Sequence, residues 1–153
     1  MVGGVDMKTK FNFKSQICTS RFQSELLLAL GLKKETADMF YFFYDKNTYE
    51  INPTWETIWE DRNDYKKIIP AWSLGRLLEM LPSPIPISDD LPTFHNYAFL
   101  NLSNESVGYY WEDYDGAGRT LVGFYGKGFF PAVVDATEWL IKGGNFPKEY
   151  LEE

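Results

Sequence analysis

The stretch YAFLNLSNESVGYYWEDYDGAGRTLVGFY, residues 97–125, decides the fold. Residues 97–102 are strongly apolar, residues 107–111 carry Val107 and three aromatic rings, and residues 120–125 are again apolar and aromatic. Such residues suit a pleated, half-buried surface. Ser103-Asn104-Glu105 between the first two runs is turn chemistry, and residues 113–118 supply Asp113, Asp115, Gly116 and Gly118 to a loop. Three short strands with two turns read as an antiparallel meander.

Toward the C-terminus, Pro131 suits the first turn of a last helix. Asp135 lies early and Lys142 late in it, matching the helix dipole. Val133, Ala136 and Leu140 share one face, and Gly143-Gly144 ends the helix. Phe146, Tyr150 and Leu151 in the tail are expected to pack back onto the body. On the other side, residues 82–86 (PSPIP) form a stiff connector. Pro70 and Ser73 open a helix before it, in which Leu74, Leu77, Leu78 and Leu81 recur at i, i+3, i+4 and i+7. Residues 54–67 stay open between helix and loop, with Trp55, Ile58 and Trp59 at helical spacing.

An aromatic run, MFYFFY at 39–44, has strand propensity, with turn residues at 45–47 and a return strand at 48–51 stopped by Asn52-Pro53. Thr19 or Ser20 can cap a first helix over about residues 20–30. Phe22, Leu26, Leu27 and Leu30 form its apolar face, Leu28 and Ala29 widen it, and Gly31 ends it. Residues 33–39 allow a further short turn with Thr36 as a cap. The fold class is α+β: a mostly antiparallel sheet of about five strands, hairpin joined to meander, with three main helices. Residues 1–15 read as a leader and residues 16–153 as a single domain.

Composition limits the function. Of 153 residues, 44% are hydrophobic and 24% charged, which suits a globular chain, while 18% aromatic is high enough to ask where the rings go. The formal charge of −7 disfavours direct nucleic-acid binding, which needs a basic face to release counterions. Lys8, Lys10 and Lys14 are the one basic cluster, and they lie in the leader. Cys18 is the sole cysteine, consistent with a reducing compartment; no run approaches a membrane span and residues 1–14 lack the apolar core of a signal peptide. The expected location is cytoplasmic, with no membrane partner.

Three blocks, QSELLLALGLKKETADM (residues 23–39), IPAWSLGRLLEMLP (69–82) and DATEWLI (135–141), occur in an order that resembles small uncharacterised proteins of phages and mobile elements of Bacteroides-type gut bacteria. The likeness runs from about residue 16 to 142, and its middle block is the specific one. It implies a cytoplasmic, phage-associated or mobile-element protein and transfers no activity and no catalytic residue.

No catalytic, cofactor or metal residue is assigned from sequence. His95 is the only histidine, so a multi-histidine metal site is excluded, and neither it nor Cys18 has nucleophile-elbow surroundings. Glu112, Asp113, Asp115 and Gly116 resemble part of a calcium loop, but Ala117 stands where a third acid belongs; a charged hairpin rim accounts for them. Glu56 and Glu60, four apart, would share a helix face if that segment is helical; paired carboxylates can hold Mg²⁺ or run acid–base chemistry, but exposed acidic faces are much commoner. Gly126, Lys127 and Gly128 lie between a strand and a helix N-terminus, half of the recipe for an anion site, and tight turn geometry explains both glycines equally.

The aromatic strands give the sharpest positive expectation. On a strand Tyr110 faces opposite to Tyr109 and Trp111, and Tyr41 and Phe43 oppose Phe40 and Phe42. With three helices to cover the sheet, one face stays partly open, and Tyr109, Trp111, Tyr41 and Phe43 are the candidate interaction surface. The expected function is non-enzymatic: binding a protein partner, either a host factor or a second copy in a homodimer. Two alternatives are a small enzyme or nucleotide- or phosphate-binding protein using the loop 126–128, and a structural accessory of phage assembly.

Overall fold

Ser20 and Gln23 open the first described helix with a reciprocal capping box. The Ser20 hydroxyl accepts from the Gln23 backbone amide, and the Gln23 side chain accepts from the Ser20 amide. Helix α1, Arg21–Ala29, follows. It closes on Gly31, whose φ of 98° is left-handed. From there the Leu32 amide reaches the Leu27 carbonyl and the Gly31 amide the Leu28 carbonyl, both at 3.0 Å, the paired bonds of a Schellman turn. The computed structural model describes residues 15–55, 58–61 and 67–153. The three leader lysines therefore lie outside the described residues, as do Glu56 and the Glu60 side chain.

The aromatic run forms β1, Met39–Phe43, and returns as β2, Tyr49–Pro53. Asp45 fixes the turn by accepting the Asn47 and Thr48 amides at 2.8 and 2.9 Å. A short helix α2, Ile58–Asp61, precedes β3, Ile68–Ala71, which pairs antiparallel with the other side of β1. Helix α3, Leu74–Met80, is capped by the Ser73 hydroxyl. Next come β4, Ile85–Pro86, then β5, Tyr97–Leu102, β6, Val107–Glu112, and β7, Gly118–Phe124. Helix α4, Phe129–Lys142, carries the chain back, and a 3₁₀ turn, Lys148–Tyr150, ends it.

The class is α+β, with antiparallel pairing and three main helices. Among the described residues the strands number seven and divide between two sheets, in the orders β2-β1-β3 and β4-β5-β6-β7. Two short strands in segments expected to be helix start and connector account for the extra count. Ile68–Ala71 was expected to lead into the helix, and residues 82–86 to be a plain connector. Both strands contain proline, and both are edge strands, the position in a sheet where a missing N–H is tolerated.

One buried cluster draws on both sheets and all three main helices. Leu27, Phe40, Trp72, Leu77, Tyr109, Val133 and Leu140 are among its members. As expected, Val133, Ala136 and Leu140 form the buried stripe of α4, and Phe146 packs back with Tyr150 and Leu151. The tail is also stitched on by backbone bonds, Lys33 amide to Tyr150 carbonyl and Glu152 amide to Gly31 carbonyl.

In α1 the expected apolar face is rotated. Ser24 and Leu27 are buried while Phe22 is 76% exposed. The cause is a polar anchor: the Thr19 hydroxyl accepts the Trp72 amide at 3.0 Å and lies 2.7 Å from the Ser24 hydroxyl, which sets the helix's rotation against β3. Thr36, expected as a cap, instead accepts the Trp72 indole N–H at 2.9 Å.

Candidate functional site

On β6 the strand alternation read from sequence is real with the sense of the faces reversed, whereas on β1 Phe40 and Tyr41 are both buried and Phe42 and Phe43 both half-buried. Tyr109 is fully buried, Trp111 and Tyr41 are buried, and Phe43 is half-buried, so the first three are not a surface for a partner. Helix α4 explains the meander: its apolar stripe lands on the β6 face that carries Val107, Tyr109 and Trp111. Tyr109 stacks on Trp139 of α4 with ring centroids 6.1 Å apart, and its hydroxyl donates to the Pro82 carbonyl at 2.6 Å. Burial pushes its ionisation well above the ordinary tyrosine range.

Tyr41 meets the same fate on the first sheet. Its hydroxyl donates to the Thr19 carbonyl at 2.8 Å and lies 3.7 Å from the Cys18 sulfur. Burial raises the ionisation of both groups, and the contact between them raises that of Tyr41 further. Phe43 lies under the Arg21 guanidinium, 5.0 Å from its ring centroid.

The open face of the meander is therefore the one that Tyr110 occupies. Phe99 stands directly across the ladder from Tyr110, and Tyr97 is two residues along β5 on the same face. The three rings are 50%, 44% and 41% exposed for Tyr97, Phe99 and Tyr110, a contiguous aromatic row. Beyond it the same face drops into a shallow cleft of about 230 Å³. Gly108 and Gly123, paired across β6 and β7, form its floor, and Asn101, Tyr110, Thr120 and Tyr125 stand around it. Leu121 is the extra residue where the β6–β7 register shifts.

The other candidates take structural roles. Asp113 accepts the Asp115 and Ala117 amides and the Arg119 side chain, each at 3.0 Å, which holds its carboxyl below the usual range. It shapes the hairpin, and among the described residues no three acidic, histidine or cysteine side chains gather as a metal set. The His95 backbone is held by the Thr93 hydroxyl, with its side chain exposed. Gly126 and Gly128 take φ of 95° and 96°, so turn geometry accounts for both. Gly128 is the α4 N-cap and offers no side-chain cap; Pro131 in the first turn lacks an N–H, and the Ala132 amide already binds the Gly128 carbonyl. Lys127 is exposed beside them.

Among the described residues no helix is long and apolar enough to cross a membrane. No family model matches the sequence, and no curated protein or solved structure matches the chain significantly.

Proposed function

We propose that this chain is a non-enzymatic interaction protein that docks another protein on the open face of its four-stranded sheet. The phage or mobile-element setting and the cytoplasmic location implied by the sequence resemblance belong to the same proposal. One observation carries it: Tyr97, Phe99 and Tyr110 form a contiguous, solvent-facing aromatic row on a sheet whose other face is filled by α4. Tyrosine and phenylalanine give rigid contact area at low entropic cost, and they are enriched at protein interfaces. An overall charge of −7 favours a partner whose rim is basic.

Affinity capture from host lysate with the double variant Tyr97→Ala/Phe99→Ala as the comparison tests this reading. A stoichiometric partner, or a second copy seen by sedimentation, is expected with the native chain and lost with the folded variant. Capture that the double variant leaves intact would move the interface elsewhere.

A further inference from the structure

Gly123 sits in the middle of a strand without a structural reason to be glycine. Its φ is not left-handed, and a β-carbon built there would meet only the Tyr125 ring at 3.9 Å and the Thr120 methyl at 4.0 Å, ordinary contact distances. Gly108 opposite it is different, because a β-carbon there would lie 3.0 Å from the Val122 carbonyl oxygen. Strand glycines mark bulges or places where something approaches the sheet closely, and the bulge of this strand pair falls on Leu121, two residues away. Here it keeps the floor of the cleft open.

The walls of that cleft are polar and aromatic, with no charged side chain among the lining residues. Asn101, Thr120, Tyr110 and Tyr125 are all exposed, so their amide, hydroxyl and phenol groups are open to a ligand. We infer that this cleft binds one ring of a neutral saccharide. A pyranose presents an apolar C–H face, suited to the electron-rich face of a tyrosine, and a rim of hydroxyls that both donate and accept. The amide and hydroxyl groups of the cleft have the same dual capacity. An anionic ligand would find no cation on the walls and a cationic one no carboxylate, while an apolar ligand would leave the amide and hydroxyls without partners. The volume falls below the roughly 300–1,000 Å³ of pockets that hold drug-sized ligands, which limits the occupant to one ring.

This inference goes beyond the protein-docking reading and does not depend on it: the two share Tyr110 alone, while Asn101, Thr120, Gly123 and Tyr125 lie outside the aromatic row used there. Its test is saturation-transfer NMR on the full chain with methyl glycosides of glucose, galactose, mannose and N-acetylglucosamine, each alone, and with N-acetyltyrosinamide and inorganic phosphate as separate probes. At least one glycoside is expected to receive saturation, with a dissociation constant on the order of 1 mM, the scale set by about a dozen non-hydrogen atoms. The signal should fall fivefold or more in Gly123→Val and in Asn101→Ala and persist in Phe99→Ala. Gly123→Ala, which the backbone accommodates, gives a second reading if the valine variant misfolds. Titrating the same sugar on a glycopeptide separates the sources: tighter binding indicates a glycan on a macromolecule, equal binding a free saccharide, and both support the inference. Saturation of N-acetyltyrosinamide or phosphate alone, no saturation of any glycoside, or a signal that Gly123→Val leaves unchanged would overturn it.

Discussion

Replacing each of the two facing glycines by alanine, one at a time, separates a glycine the fold requires from one it does not. At Gly108 the new methyl would stand 3.0 Å from the Val122 carbonyl oxygen and 3.6 Å from the Gly123 α-carbon, so backbone must give way by a few tenths of an ångström. Overpacking of this kind costs roughly 1–3 kcal/mol, and the entropy removed from the unfolded chain returns about 0.4–1 kcal/mol. The expected net loss is about 1–2 kcal/mol. At Gly123 the methyl meets nothing closer than 3.9 Å, so only the unfolded-state term operates and stability should rise by about 0.5 kcal/mol. The two variants therefore differ by about 2 kcal/mol, in opposite directions from the native protein. Equilibrium urea unfolding followed by tryptophan fluorescence reads this as a separation of about 1 M in midpoint, taking a slope near 2 kcal/mol per molar. A Gly123→Ala variant destabilised as much as Gly108→Ala would show that the fold, not a ligand, needs the open floor.

Further expectations concern the elements that position this face. Gly31→Ala should cost about 1–2 kcal/mol, because the position is left-handed and the added methyl would touch nothing; the urea midpoint measures it. Tyr109→Phe should cost about 1 kcal/mol by leaving the Pro82 carbonyl without its donor, again as a midpoint shift with unchanged slope. Cys18, Tyr41 and Tyr109 ionise higher in the folded chain than unfolded, so their contribution is complete below the unfolded values, about 8.5 for the thiol and 10 for the phenols. It is lost as pH rises beyond those values toward the folded ones. Absorbance at 295 nm should therefore show the two buried phenols ionising only together with alkaline unfolding. Asp113 works in the opposite sense. Its folded value is depressed, so its stabilisation holds above about pH 4 and disappears as pH falls through the folded value, an effect that Asp113→Asn should abolish.

The parts of this structure legible in the sequence are those governed by local rules. Ser20 as a cap, Gly31 as a stop, the hairpin begun at 39 and the Val133–Ala136–Leu140 stripe follow from backbone geometry and spacing and stand where those rules put them, except that the return strand runs through Asn52-Pro53, expected as its stop. What failed depends on distant partners. Ile68-Ile69-Pro70-Ala71 gives little local sign of a strand, since proline argues against a central one; it is a strand because β1 offers an edge. The rotation of α1 is set by Thr19 and Trp72, far apart in sequence and joined only in the fold. The aromatic alternation at 109–111 was readable, but which side faces water was not, because that depends on where α4 lands. The open row was signalled by Tyr97 and Phe99 at spacing two in a run read only as apolar. The cleft could not be read at all, since Gly108 and Gly123 meet only once β6 and β7 are in register.

The central claim is that the partner lies on the open aromatic face, and site-specific photo-crosslinking in the host cell tests it most directly. Phe99 replaced by p-benzoylphenylalanine places the probe within the row, and Phe22, still more exposed on α1, serves as the comparison. The account predicts one discrete protein adduct from position 99 and none from position 22. Adducts at position 22 with none at 99 would contradict it.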